Sequence, residues 1–226
     1  MEIPFHKEVV IDTGEIALQG ELAIPQDAVA IIIFSHGSGS SRFSERNRMV
    51  ARYLQERKFG TLLFDLLTVA EDRDQYKRFD IDLLTKRLAG AAEWLERFPV
   101  TKEYRIGFFG ASTGAASALK AAARLSQIGA VVSRGGRPDL AMNDLPNVKA
   151  PVLLIVGSLD TDVLQMNLDA YRQLACEKKL TVVEGASHLF EEPGKMDMVS
   201  ELAASWFQQY LTGSPHKIYH DAGQIK

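Results

Sequence analysis

Residues 104–117 of the chain read YRIGFFGASTGAAS. The first six residues are typical of a buried strand, and the small residues from Thr113 onward favour a helix. Ser112 lies at the turn between them, and Gly110 and Gly114 flank it at two positions' distance, where they keep side chains from colliding. In the pattern GxSxG, a sharp strand-to-helix turn exposes a serine hydroxyl at the end of a sheet. The stretch therefore predicts a nucleophilic serine, although Ser112 could also serve only as a helix cap.

The rest of the sequence alternates between strand-like and helix-like segments. Apolar or β-branched runs predict strands at KEVVI, EIALQGELAIP, VAIIIFS, GTLLFDLL, YRIGFF, GAVVS, PVLLIVG and LTVVEG. Helical patterns occur at ERNRMVARYLQER, IDLLTKRLAGAAEWLERF, TGAASALKAAARL, VLQMNLDAYRQLA and MDMVSELAASWFQQYL. Such alternation predicts an α/β fold with a doubly wound, mostly parallel sheet and helices on both faces. The first two strands precede any helix, so we expect them to form an antiparallel edge.

Length and composition limit the classes of protein to consider. The chain has 226 residues, 46% of them hydrophobic, which fits one domain over residues 1–212 followed by a loose tail over residues 213–226. A net charge of only -3 favours small-molecule partners over nucleic acid or an anionic membrane surface. The single cysteine excludes an internal disulfide, and the first ten residues do not resemble a signal peptide. We therefore expect a cytoplasmic protein that does not enter membranes.

Three further polar side chains follow predicted strands in the manner of Ser112. In doubly wound sheets, functional groups collect outside the carboxyl ends of the strands. His188 comes directly after LTVVEG, and both Asp160 and Asp162 come after PVLLIVG. Capping of the next helix would explain Asp162, so Asp160 is the preferred partner of the histidine. A serine, an aspartate and a histidine in this chain order predict a catalytic triad, in which the histidine is the general base and the aspartate orients it.

The stretch SHGSGSS at residues 35–41 follows another strand and is rich in glycine. Acyl transfer needs backbone N–H groups that stabilise an oxyanion. We expect these donors to be the amides of Thr113 and Ser38, with His36 orienting the loop. The same loop begins like the dinucleotide pattern GxGxxG, but Arg42 stands at the third glycine position, so this alternative is disfavoured.

These motifs give the chain a resemblance to the α/β-hydrolase superfamily and, within it, to the dienelactone hydrolase family. The resemblance covers residues 10–212 and rests on SHGSGSS, GFFGASTG, LLIVGSLDTDV and EGASHLFEEPG. It implies an eight-stranded core, hydrolysis of an ester or lactone, no cofactor or metal, and Ser112, Asp160 and His188 as the triad. Dienelactone hydrolases proper carry cysteine at the strand-to-helix turn, called the elbow, where this chain has Ser112. The one cysteine of this chain, Cys176, instead follows a helix. The serine therefore points to a general carboxylic-ester hydrolase.

Further features concern the substrate. Arg134 and Arg137 follow the strand GAVVS and are candidates for binding an anionic group, although either could pair with a nearby acid such as Asp139. The segments between strands and helices are too short for a large cap domain, so we expect an open pocket for small to medium acyl groups. Two alternatives remain open at this point: a catalytically silent binding protein with the same fold, and an acyltransferase.

Overall fold

The computed structural model describes residues 3–212, so the predicted tail, residues 213–226, lies outside the described residues. The strands are β1 Phe5–Asp12, β2 Ala17–Ile24, β3 Ala30–Ser35, β4 Phe59–Phe64, β5 Arg105–Ala111, β6 Ile128–Arg134, β7 Val152–Gly157 and β8 Lys178–Val183. The α-helices are α1 Glu45–Gln55, α2 Gln75–Arg78, α3 Ile81–Arg97, α4 Thr113–Ala122, α5 Thr161–Gln173 and α6 Lys195–Leu211. Short 3-10 turns lie at Glu71–Arg73, Pro138–Ala141 and Leu145–Asn147.

All eight strands form one sheet in the order β1-β2-β4-β3-β5-β6-β7-β8. Strands β3 to β8 run parallel to one another, and β2 is antiparallel to both β1 and β4. The first two strands thus form an antiparallel edge, as predicted from their place before the first helix. Because the parallel strands point the same way, their carboxyl ends and the loops that follow lie along one rim of the sheet. The loop residues singled out in the sequence therefore all follow strands at this rim.

Both faces of the sheet are covered, which explains why the central strands are apolar almost throughout. Helices α3, α4 and α5 contribute to the core on one face, and α1 and α6 contribute to the core on the other. Helix α4, which follows the serine, is almost entirely buried, and five of its ten residues are alanines. This close packing of small residues fixes the helix, and hence the serine, against the sheet.

No large cap domain covers the rim within residues 3–212. Between β4 and α3, residues 65–80 form only a 3-10 turn and the four-residue helix α2. The helices between residues 3 and 212 are all too short or too polar to span a lipid bilayer.

Candidate active site

The turn at Ser112 has the strained backbone that the sequence pattern predicts. Its φ of 52° and ψ of -122° lie in a region that residues with side chains rarely occupy. A Cβ atom at Gly114 would lie 2.2 Å from the carbonyl oxygen of Ser35, and one at Gly110 would lie 2.4 Å from Cα of Ala115. The two glycines thus allow β3, β5 and α4 to approach closely enough to hold the serine in this conformation.

His188 and Asp160 are joined by a short hydrogen bond. Nδ1 of His188 lies 2.6 Å from Oδ2 of Asp160, so the carboxylate fixes the orientation of the ring. The loop after β8 is held in turn by Glu192, whose Oε1 accepts from the amide of Ser187 at 3.1 Å. The residues that the sequence predicted as base and orienting acid are therefore in contact.

The preference for Asp160 over Asp162 rested on a helix boundary that the structure places differently. Helix α5 begins at Thr161, so Asp160 itself occupies the N-cap position and Asp162 lies in the first turn. The side chain of Asp160 makes no capping hydrogen bond, because it is turned toward His188. The capping argument was thus wrong about the position of the cap, while the preferred residue is the one that contacts the histidine.

Ser112 and His188 line one cavity of about 250 Å³ at the rim of the sheet. Its walls are Gly37, Ser38, Ser40, Ser44, Arg46, Asn47, Ala111, Ser112, Arg134, His188 and Leu189. The hydrogen bonds within residues 3–212 include none from the hydroxyl of Ser112, so no such bond holds it away from the imidazole that lines the same cavity. The structure brings the three predicted triad residues to the same end of the sheet.

The glycine-rich loop after β3 lies directly against the elbow. Nε2 of His36 accepts from the amide of Leu66 at 3.1 Å, and its Nδ1 lies 3.0 Å from the carbonyl oxygen of Gly37. Burial lowers the pKa of His36 below its ordinary 6.5, which favours the neutral ring that can make both bonds. His36 thus orients the loop, as the sequence suggested.

The two amides expected to bind an oxyanion lie in different environments. Thr113 is the first residue of α4, so its N–H has no acceptor within the helix. The amide of Ser38 donates to Oγ1 of Thr113 at 2.8 Å. This bond from the loop to the elbow was not foreseen, because the sequence does not show which side of the loop faces the serine.

The two candidate arginines differ in their surroundings. Arg137 forms a bidentate ion pair with Asp139, at 2.9 and 2.8 Å, and does not line the cavity of Ser112. Arg134, at the end of β6, is buried and lines that cavity. Sequence reasoning missed Arg46, which comes from the start of α1 and also lines it. The sequence feature that could have identified Arg46 is its position near the start of the helix that follows the glycine-rich loop.

Comparison with known proteins gives one family. The sequence model of the dienelactone hydrolase family matches residues 18–212. A solved structure from Anabaena variabilis, called a dienelactone hydrolase, is 51% identical, covers 93% of this chain and 100% of its own, and superposes with a TM-score of 0.90. Two Mycobacterium tuberculosis proteins, provisionally named phosphoribosyl transferases, are each 50% identical over 209 residues, which is 92% of this chain. The chain spans about half the length of these curated relatives, 47% of each.

More distant structures share the fold alone. An esterase from Pyrococcus furiosus is 20% identical, with a TM-score of 0.76 and coverage of 92% of both chains. Est1E from Butyrivibrio proteoclasticus is 16% identical, with a TM-score of 0.76, and covers 89% of this chain and 98% of its own. These likenesses confirm the predicted α/β-hydrolase fold.

Proposed function

The chain belongs to the dienelactone hydrolase family, and from this membership and the geometry around Ser112 we propose that it is a serine hydrolase of carboxylic esters or lactones. The observation that carries the proposal is the 2.6 Å contact between Asp160 and His188 at the cavity that also contains the strained Ser112. A carboxylate that accepts from Nδ1 leaves Nε2 without a proton, as a general base requires. Ser112 lines the same cavity and is the proposed nucleophile.

The proposed reaction has two steps. In the first, Nε2 of His188 takes the proton of the Ser112 hydroxyl while Oγ attacks the carbonyl carbon, and the tetrahedral intermediate then expels the alcohol, which takes the proton from His188. In the second, His188 takes a proton from water, the resulting hydroxide attacks the acyl-enzyme, and the carboxylic acid leaves as Ser112 regains its proton. In a lactone the expelled alcohol stays attached to the acid.

The proposed oxyanion donors are the amides of Thr113 and Ser38. One such donor contributes roughly 3–4 kcal/mol to lowering the barrier. In the free protein, the hydroxyl of Thr113 holds the Ser38 amide at the elbow. An oxyanion is a stronger acceptor than a neutral hydroxyl, so it takes this amide as charge develops on the substrate.

The test is substitution of the serine. Ser112→Ala should abolish hydrolysis of p-nitrophenyl butyrate and labelling by a fluorophosphonate, since both need the activated hydroxyl. Ser126→Ala, at an exposed serine beyond α4, is the matched control and should retain both. Turnover that persists in Ser112→Ala would remove this residue from the mechanism. A wild-type protein that is folded yet neither labelled nor active would favour the catalytically silent binding protein, and transfer to an added alcohol in place of water would favour the acyltransferase.

The name of the M. tuberculosis relatives does not lead to a second proposal. A match over 209 of 226 residues spans the region from Ser112 to His188, so the hydrolase site lies in the shared part. Because less than half of each relative is matched, the named transferase activity can belong to the part that this chain does not match.

A further inference from the structure

Arg134 is a buried cation with no acidic partner within residues 3–212. Its exposed fraction is 5%, and its Nε is buried without a hydrogen-bond acceptor. The guanidinium lies 5.9 Å from the ring centroid of Phe190, which is a weak interaction for a buried charge. Burial, together with the nearby charge of Arg46, lowers the pKa of Arg134 to about 10. A buried charge without a counter-ion is costly. The side chains of residues 3–212 supply no counter-ion to Arg134, so its position is suited to a bound anion.

The start of α1 faces the same cavity. Ser44 is the N-cap of this eleven-residue helix, and Arg46 and Asn47 follow in its first turn. The N-terminus of a helix carries a partial positive charge and N–H groups without acceptors in the helix, which favour anions. In α1 the hydroxyl of Ser44 accepts from the amide of Asn47, and Glu45 places a carboxylate in the first turn outside the cavity lining, so the amides of the first two helical residues are the ones left without an acceptor in the helix. Nη1 of Arg46 forms an ion pair with Oε1 of the exposed Glu191 at 3.0 Å, while Nε of Arg46 is buried without an acceptor. A second cation thus adds to the positive field of the helix.

The remaining walls of the cavity do not offset this charge. Among residues 3–212, the side chains that line it include two arginines and the hydroxyls of Ser38, Ser40, Ser44 and Ser112, but no carboxylate. The apolar side chains that this part of the chain contributes to the lining are Ala111 and Leu189. The space beside the nucleophile is therefore suited to a polar, negatively charged group.

We propose that Arg134, Arg46 and the N-terminus of α1 form a subsite for a phosphate group carried by the ester or lactone substrate. This inference rests on the proposed function, since it concerns the substrate of Ser112. A carboxylate has two oxygens and one charge, which a single guanidinium satisfies. A phosphate has three terminal oxygens and up to two charges, and it matches two guanidinium groups together with a helix N-terminus. The phosphate is bound and not cleaved, because Ser112 attacks the carbonyl carbon of the same molecule.

The first experiment measures phosphate binding without turnover. Inorganic phosphate is titrated into the Ser112→Ala protein by calorimetry at pH 7.5, and Arg134→Met and Arg46→Gln are each added to this background. Loss of a charge-assisted contact should weaken binding by about 10-fold or more in each double variant. The matched control is Arg172→Gln, at an exposed arginine that pairs with Asp169 far along α5, and it should bind phosphate as the parent does.

Thermal unfolding in the absence of phosphate shows whether Arg134 stabilises the fold or is available to bind phosphate. Since Arg134→Met removes a buried, unpaired charge, its Tm should equal or exceed that of the parent. Undetectable phosphate binding to the parent, or unchanged affinity in both arginine variants, would overturn the proposal. A large fall in Tm for Arg134→Met with unchanged affinity in Arg46→Gln would also overturn it, because the buried arginine would then have a structural role.

The second experiment compares three acyl groups of similar size in the otherwise unaltered enzyme. These are the p-nitrophenyl esters of 3-phosphonopropanoic acid, of succinic acid and of 4,4-dimethylpentanoic acid. The phosphonate ester should have a KM at least about 10-fold lower than the other two, and Arg46→Gln should remove most of this advantage. Equal or better use of the succinate or the neutral ester would overturn the phosphate assignment while leaving the proposed hydrolase intact. Failure of all three esters, with phosphate still bound, would count against the hydrolase alone.

Discussion

At the scale of single residues, Thr113 links the turn at Ser112 to the glycine-rich loop after β3. Its hydroxyl accepts the amide of Ser38, so it holds a proposed donor in place before the substrate arrives. Thr113→Val keeps the shape of the side chain and removes this bond. We expect kcat to fall about 10-fold, since donors that are not held in place beforehand stabilise the oxyanion less well. KM should change little, because the loss concerns the transition state.

Thr113→Ser is the matched control, because it keeps the hydroxyl and should restore most of kcat. Steady-state kinetics with p-nitrophenyl butyrate measures both variants. A valine variant as fast as the original enzyme would show that the hydroxyl does not position the loop. A faster one would show that it competes with the oxyanion for the Ser38 amide.

Arg134 and Arg137, which lie at and just after the end of β6, show what could and could not be predicted for single residues. Both lie where a strand ends at the rim that holds Ser112, so the sequence predicts the same role for each. The 3-10 turn that begins at Pro138 places Asp139 against Arg137, whereas Arg134 lines the cavity and has no acidic partner within residues 3–212. Which of the two arginines pairs with Asp139 depends on the direction of side chains that are three positions apart in the sequence. No periodic pattern in the sequence predicts that direction.

At the scale of elements, the elbow is a contact between two strands and a helix that tolerates only glycine at position 114. In Gly114→Ala the new methyl group would collide with the carbonyl oxygens of Ser35 and His36, at 2.2 and 2.5 Å. Both are backbone atoms and cannot turn aside. We expect the free energy of unfolding to fall by about 3 kcal/mol or more, as for severe overpacking.

The control for this substitution is Gly14→Ala. Gly14 has a positive φ, 84°, which the helical Gly114 does not have, and a Cβ atom at Gly14 would meet nothing within 4 Å. Its cost should therefore be the backbone strain alone, about 1–2 kcal/mol. Urea unfolding followed by circular dichroism compares the two. If both variants lose the same stability, the close packing at the elbow is not what requires a glycine.

The existence of the elements was more predictable than their ends. Apolar runs identify strands such as β3 and β7 because burial on both faces leaves no polar positions. The start of α5 was misplaced by two residues, because Asp160 and Asp162 are equally good capping residues in sequence. Only the tertiary bond to His188 decides between them. Element boundaries at functional sites are hard to predict for this reason: the side chain that would mark the boundary is used elsewhere.

At the scale of the whole molecule, strand order could not be read from the alternation of strands and helices alone. The adjacency of β3 to β5 brings the glycine-rich loop beside the elbow, although 75 residues separate Ser38 from Thr113 in sequence. Likewise, α1 packs with α6 on one face, so that its N-terminus reaches the cavity. The parallel sheet predicts that the triad loops share a rim, but the walls of the pocket follow from how the helices are distributed over the two faces.

The open rim also predicts which esters the proposed hydrolase prefers. A cavity of about 250 Å³ holds the volume of roughly eight water molecules at ~30 Å³ each, and no large cap within residues 3–212 extends it. In a series of p-nitrophenyl esters, kcat/KM should therefore be highest for acetate to hexanoate and fall for decanoate. The rate should also show no jump when the ester begins to form micelles, because the described part of the chain contains no large lid for an interface to open. Leu189→Ala, which removes an apolar wall, should shift the preference toward longer chains, while Leu159→Ala, at an exposed leucine outside the cavity, should not. A preference for decanoate in the original enzyme would mean that a larger apolar surface binds the acyl group than this cavity provides.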